Sequence, residues 1–288
     1  MNVLLTGINN YLGKELAFFF VQKEYNVTCL VRSETLLLAD EKANENLSVI
    51  RGDLIREKYS QPFPDDLDVA FYFSYYVAEQ GDIYQELEIL SLQNYIKKAR
   101  RVNCPHLIYV MPLRSPVNES IKKVLEESYI SYTIVRTSNI VGKDSLLINI
   151  FKKMASSPAI VSNVKLASSK CQPIALSDAI TYLDFMAFNP ATFNQTFDIG
   201  GPEILSYREM LNQYLKISNI KKKIITLPFV HTLFSTFWLS NASGLPKAIA
   251  RAFSQNIQGD LLCEENRIHD LFPHTNLKFS EAVRQSIS

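Results

Sequence analysis

Over residues 1–137, short runs that are apolar throughout alternate with longer amphipathic stretches, and this alternation limits the fold more than any other feature of the chain. The runs "NVLLT" (2–6), "NVTCLVR" (26–32), "LSVIRGD" (47–53), "DVAFYF" (68–73), "HLIYVM" (106–111) and "YTIVR" (132–136) have the length of strands. They lack the strict apolar–polar alternation of a half-exposed sheet, so both of their faces are expected to be covered. The stretches between them read as helices, beginning with "YLGKELAFFFVQKE" (11–24). Asp82 and Gln85 have capping-box spacing ahead of a helix that runs to about Val102. Doubly covered strands separated by helices specify a parallel sheet with helices on both sides. Right-handed crossovers make it a doubly wound Rossmann sheet, with the ligand beyond the carboxyl ends of the strands.

After residue 137 the pattern loosens. "CQPIALSDAITYLDFMAF" (171–188) reads as a strand, a capped turn and a helix, and "QTFDIGG" (195–201) as a further strand. Ser206 and Glu209 form a second capping box ahead of "YREMLNQYLK". The tail reads as helix-rich and irregular. The expected organisation is α/β: a Rossmann core over 1–137, with 171–200 contributing to it, and a smaller interleaved C-terminal cap over 138–170 and 201–288. A substrate cleft is expected between them.

The turn "TGINNYLG" (6–13) follows the first strand and opens the first helix. Gly7 suits a tight turn, and Gly13 suits close packing of helix on sheet. Backbone N–H groups at the helix start can then face a diphosphate, where the helix dipole favours negative charge. Asn10 stands midway between the glycines. Asparagine tolerates a left-handed backbone better than other side chains, so Asn9 and Asn10 are expected to keep the loop's shape. Arg32 ends the second strand, where an acidic residue would hold the ribose hydroxyl of NAD. A basic residue there suits the 2′-phosphate of NADP, and Ser33 adds a hydroxyl. Asp53 ends the third strand on the adenine side, and also fits a turn cap.

Charge and composition exclude several classes. Thirty basic residues against 29 acidic ones leave a net charge of +1, which gives no general attraction to nucleic acid or anionic membrane. The basic runs at 97–101 and 221–223 read as solvated helix ends or loops. The four cysteines form no CxxC pair and the four histidines are scattered, so no metal site is expected, and reduced thiols suit a cytoplasmic protein. No signal segment and no membrane span is expected. "LPFVHTLFSTFWLS" (227–240) is interrupted by His231, Thr232 and Ser235, and reads as a packed or pocket-lining helix.

Taken in order, these segments resemble the extended and atypical short-chain dehydrogenase/reductases, in particular the NmrA-like NAD(P)-binding branch. "TGINNYLG" is similar to that family's TGxxGxxG, with Asn10 at the middle glycine. "CLVR", "GDL", "YTIVRTSNIVG" (132–142), "QPIALSDAITYL" and "FDIGGPEILSYREM" resemble later landmarks, through about residue 215. The resemblance implies cofactor contacts at Gly7, Asn9, Asn10, Tyr11, Leu12, Gly13, Arg32, Asp53 and Leu54. It places Ser74, Tyr75 and Tyr76 along the nicotinamide-ribose side and Asn139 in a substrate-contacting position. Arg136 fits either an anion or a structural ion pair.

Catalytic members of that family use a serine and a Tyr-x-x-x-Lys pair. No such pair occurs between the fifth and sixth strands here. The tyrosine position falls near Arg114 and the lysine position near Asn118, and "VMPL" stands at the serine position. Tyr75, Tyr76 or Tyr109 are the candidate substitute proton donors, and Ser115 a candidate to orient a carbonyl. Two classes therefore stay open: an NADP-dependent oxidoreductase acting on a small molecule with an atypical proton donor, and a non-catalytic NAD(P)-binding sensor or assembly protein with a protein partner. A sugar-nucleotide epimerase is a third reading, suggested by Asn139 and its RxxNxxG segment.

Overall fold

The protein is represented by a computed structural model that describes residues 1–32, 44–56, 61–74, 82–114, 117, 119–157, 160–163, 168–227 and 259–287. It divides into two compact units, one of Met1–Thr137, Ile180–Asp198 and Asn266–Pro273, the other of Ser138–Ala179, Ile199–Glu265 and His274–Ser288.

In the first unit the apolar runs become strands β1 (Asn2–Leu5), β2 (Asn26–Val31), β3 (Leu47–Arg51), β4 (Val69–Phe73), β5 (His106–Pro112) and β6 (Ser131–Thr137). Their helices are α1 (Tyr11–Gln22), α2 (Asp82–Arg101) and α3 (Glu119–Glu126). The chain later returns with α5 (Leu176–Ala187) and β11 (Gln195–Ile199), both of which cross from one unit into the other. The seven strands form one sheet in the order β11-β6-β5-β4-β1-β2-β3. The pairs β1–β2, β1–β4, β2–β3, β4–β5 and β5–β6 are parallel. The order reverses between β1 and β4, so their carboxyl ends lie side by side, at the place where doubly wound sheets bind ligands.

Strand β4 shows why these runs carry no polar face. All five of its residues are buried, and alternate side chains go to opposite faces. Phe71 packs on Phe20 of α1, ring centroids 5.7 Å apart. Tyr72 points the other way, stacking on Tyr109 of β5 at 5.6 Å and meeting Tyr95 of α2 at 5.3 Å. Each such fully buried side chain contributes about 1.5–3 kcal/mol.

The second unit holds short pairings: β7 (Ile140–Val141) parallel to β10 (Ile174–Ala175), β9 (Lys170–Cys171) antiparallel to β12 (Leu205–Ser206), and β8 (Ile160–Asn163) parallel to β13 (Ile224–Leu227). Its helices include α4 (Leu146–Ser156), α6 (Tyr207–Ile217) and α8 (Phe279–Ile287), with α8 packed on α6. The short helix α7 (Arg267–Leu271) belongs to the first unit. The expected capping box is present: Ser206 Oγ accepts from Glu209 N–H at 3.2 Å, and Glu209 Oε2 accepts from Ser206 N–H at 2.7 Å. Those hydrogen bonds hold the Glu209 carboxyl below its ordinary range. Strand β13 is an addition to the helix-rich, irregular reading of the tail, and its pairing partner β8 lies more than sixty positions earlier in the chain. Residues 228–258, which include most of the apolar segment at 227–240, lie outside the described residues.

Candidate functional site

The turn after β1 is held to β4 by Thr6. Its N–H donates to Phe71 O at 2.9 Å, and its Oγ1 accepts from Phe73 N–H at 2.9 Å. Gly7 then takes a left-handed backbone with φ +73°, and a Cβ there would stand 2.5 Å from Phe73 Cβ. A Cβ on Gly13 would stand 2.6 Å from Gly7 O. Both glycines are thus demanded by space. Asn10 is not left-handed. Its φ of −86° and ψ of 137° are extended backbone, and it acts as N-cap of α1, with its side chain accepting from Leu12 N–H at 3.0 Å. The expectation that asparagine tolerates αL at this position is therefore corrected: its capping chemistry is what the turn uses.

Beyond the carboxyl ends of β1, β2 and β4 lies a cavity of about 620 Å³. Its walls come from Thr6 to Asn9, from Leu30, Val31 and Arg32, from Gly52, Leu54 and Ile55, from Tyr72 and Phe73, and from Tyr84, Leu87, Glu88 and Ser91 of α2. The combination is an apolar slot with a guanidinium at one strand end and a helix amino end close in sequence. It has the size of a small-molecule site, and its chemistry suits a planar base together with phosphate.

Gly7, Asn9, Arg32 and Leu54 all stand on the cavity wall, and Arg32 is exposed. Tyr11, Leu12 and Gly13 form the first turn of α1. Asp53 caps its own turn, with Oδ1 accepting from the N–H groups of Ile55 at 2.9 Å and Arg56 at 3.1 Å. Ser74 is buried, and its N–H donates to Val110 O at 2.8 Å. Ser33, Tyr75, Tyr76, Ser115 and Asn118 lie outside the described residues.

Tyr109 is fully buried, and its hydroxyl donates to Glu88 Oε1 at 3.0 Å. Burial, and then the neighbouring Glu88 charge, push its phenol well above 10. That is the opposite of what a proton-transferring tyrosine needs. Asn139, in the second unit, donates from Nδ2 to Tyr207 Oη at 2.7 Å and to Cys171 Sγ at 3.2 Å. Its amide is engaged in local structure. Arg136 forms a buried bidentate pair with Asp198 at 2.6 and 2.7 Å, the structural alternative of the two open for it.

Glu88 went unmarked in the sequence reading. Its signal is a carboxylate on the buried stripe of an amphipathic helix, one turn before Leu92 and two before Tyr95, both fully buried. Among the described residues no group of three His, Cys, Asp or Glu side chains is placed to hold a metal, and no helix is long and apolar enough to cross a membrane. Cys29, Cys104 and Cys171 are buried and free. Burial pushes the Cys29 thiol up to about 12 and the other two up to about 11.

No protein-family model matches the chain, and no curated protein matches its sequence. Solved structures match it over nearly its whole length. A nucleoside-diphosphate-sugar epimerase from Staphylococcus aureus is 16% identical with a TM-score of 0.70, over 99% of this chain and 100% of that one. The triphenylmethane reductase of Citrobacter sp., complexed with NADP(H), is 16% identical with a TM-score of 0.72, over 99% of both chains. The UDP-glucuronic acid 4-epimerase of Bacillus cereus, complexed with UDP-glucuronic acid and NAD, is 13% identical with a TM-score of 0.71, over 99% of this chain and 98% of that one. At such identities the likeness establishes the fold. The chain has the doubly wound Rossmann α/β fold of these epimerases and reductases, the fold implied by its resemblance to the extended and atypical short-chain dehydrogenase/reductases.

Proposed function

We propose that the first unit binds a pyridine dinucleotide, NADP in preference to NAD, and that the protein is an NADP-dependent oxidoreductase of a small molecule with an atypical proton donor. The observation that carries the reading is Arg32 on the wall of the same cavity as Gly7, whose missing side chain, like that of Gly13, lets the turn close. Those two glycines let the turn pack this closely, since a Cβ on Gly7 would meet Phe73 and one on Gly13 would meet Gly7 O, and the turn they form borders the cavity at Gly7. Gly7, Asn9, Tyr11, Leu12, Gly13 and Arg32 would hold the phosphates, Leu54 would line the base side, and Ser74 would lie toward the nicotinamide ribose. Arg32 supplies the positive charge that a 2′-phosphate requires. The bound cofactor would supply the hydride, while the chain supplies orientation and exclusion of water. The complexes of two structural neighbours with NADP(H) and with NAD support a nicotinamide cofactor. Buried free thiols support a reducing cytoplasmic setting.

A second reading, a dinucleotide-binding sensor or assembly protein that does not turn over, is favoured by Tyr109, whose proton is held tightly in the core. The epimerase reading draws support from two neighbours but relies on the tyrosine that this chain lacks. A screen of quinones, aldehydes and enones with NADPH separates the classes. Turnover of any of them establishes the enzyme. Tight NADPH binding without turnover across the screen supports the sensor.

A further inference from the structure

A second cavity of the first unit stands apart from the one described above. Helices α2 and α3 each finish just ahead of a strand: Arg101 ends α2 before β5 begins at His106, and Glu126 ends α3 before β6 begins at Ser131. The groove between these two helix ends, about 460 Å³, therefore lies toward the amino ends of β5 and β6. In this parallel sheet that is the edge opposite the carboxyl ends that border the first cavity. Doubly wound sheets bind their ligands at the carboxyl ends, so the fold alone gives the groove no task.

Its α2 wall presents Lys97, Arg100 and Arg101, all exposed, beside the apolar side chains of Ile96 and Val124. A cation in the last turn offsets the carbonyl end of a helix, but three around one groove exceed that need. The carboxylates of α3 are answered locally, Glu126 by Lys122 at 4.0 Å and Glu127, which borders the groove, by Lys123 at 3.7 Å. Among the described residues, neither Arg100 nor Arg101 forms an ion pair.

The second observation is Tyr129, next in the chain to the groove residue Ser128. It is 88% exposed, and its backbone is left-handed, with φ +57°. Of the seven non-glycine residues with positive φ among those described, five are Asn or Asp, and Tyr129 is the single aromatic. A bulky side chain is disfavoured in that conformation, and a solvated ring gains no burial in exchange. Arg100 lies over one face of the ring, its Cζ 5.6 Å from the centroid. Stacking uses the face of a guanidinium and leaves the N–H groups in its plane able to donate. An aromatic platform joined in this way to a cationic groove suits a small molecule that carries both a planar ring and phosphate: stacking holds the ring, and charge-assisted hydrogen bonds hold the phosphate.

We propose that this groove is a second ligand site, for a nucleoside polyphosphate, with the phosphates against Lys97, Arg100 and Arg101 and the base on the outer face of Tyr129.

The probes are ATP and inorganic triphosphate, titrated by calorimetry against the full chain, Arg101→Glu and Tyr129→Gly. Both positions are exposed, and glycine accepts a φ of +57° without strain, so the fold is retained; thermal unfolding checks this. Arg101 is absent from the wall of the first cavity, so the binding event that Arg101→Glu weakens is the groove's. That variant is expected to weaken both probes about 10-fold or more. At the same event the wild type is expected to bind ATP about 5-fold or more tighter than triphosphate, and Tyr129→Gly to bind the two within about 2-fold of each other. Equal affinity for both probes in the wild type, or a preference for ATP that survives in Tyr129→Gly, overturns the assignment of the base to Tyr129 and the proposal with it. No binding by the wild type at millimolar concentration, or affinities unchanged in Arg101→Glu, overturns the site.

Discussion

Asn10 Oδ1 accepts the Leu12 N–H at 3.0 Å, so the side chain that replaces the middle glycine of the turn occupies a donor at the amino end of α1. Asn10's own backbone is fixed on both sides, its N–H donating to Gly7 O at 2.6 Å and its carbonyl accepting from Lys14 N–H at 3.0 Å. A diphosphate approaching this turn competes with an internal acceptor for the Leu12 N–H. Replacing Asn10 with glycine is expected to tighten NADPH binding by about 3- to 10-fold, the net worth of one hydrogen bond. The loss of helix stability should be only a few tenths of a kcal/mol, because glycine is itself a tolerable N-cap. Isothermal titration checks the first expectation and urea unfolding the second. Weaker binding by Asn10→Gly would show that the carboxamide helps rather than competes.

Tyr109 is expected to matter for stability and not for proton transfer. Its ring is stacked on Tyr72 and its hydroxyl is satisfied by Glu88. Tyr109→Phe removes a donor from a buried carboxylate, which should cost about 1–3 kcal/mol in chemical unfolding. Where the substrate screen finds turnover, kcat should fall by less than about 3-fold; a loss of about 100-fold or more is the signature of a lost general acid and would restore Tyr109 to that role.

His106 gives the first unit an acid-sensitive point. Its ring lies between Ala187 O, 3.1 Å from Nδ1, and Thr133 Oγ1, 2.9 Å from Nε2, with the Phe193 ring 4.3 Å away. Burial lowers its pKa from the ordinary 6.5 to about 4. Between those values the unfolded chain binds the proton and the folded chain does not, so stability rises with pH through this window. The contribution is complete above about pH 6.5 and is lost as pH falls toward 4, amounting to about 3 kcal/mol. Urea unfolding at a series of pH values should show that slope, and His106→Gln should flatten it. A slope unchanged in the variant would assign the effect to other groups.

How much was legible in the sequence depended on whether a residue's role is set locally. The strand runs were legible because a doubly covered strand must be apolar on both sides, as Phe71 and Tyr72 show by packing on opposite faces. Ser206 and Glu209 were legible because a capping box is complete within four residues. Asn10 was read as part of the turn but assigned the wrong physics: backbone tolerance and side-chain capping both favour asparagine, and only the backbone angles separate them. Strand β13 was missed because residues 224–227 become a strand through their pairing with Ile160–Asn163, a partner remote in sequence. Glu88 was missed, and Tyr109 was offered as an acid, for one reason. The bond between them joins a helix to a strand across 21 positions, and neither segment announces it.

The central claim is that the cavity of the first unit holds a pyridine dinucleotide with Arg32 facing its 2′-phosphate. Calorimetric titration of the wild type and Arg32→Ala with NADPH and NADH tests it most directly. The expected result is tighter binding of NADPH than of NADH by the wild type, with Arg32→Ala weakening NADPH about 10-fold and leaving NADH nearly unchanged. Preference for NADH would contradict the role of Arg32, and a well-folded sample that takes up neither dinucleotide at millimolar concentration would contradict the site itself.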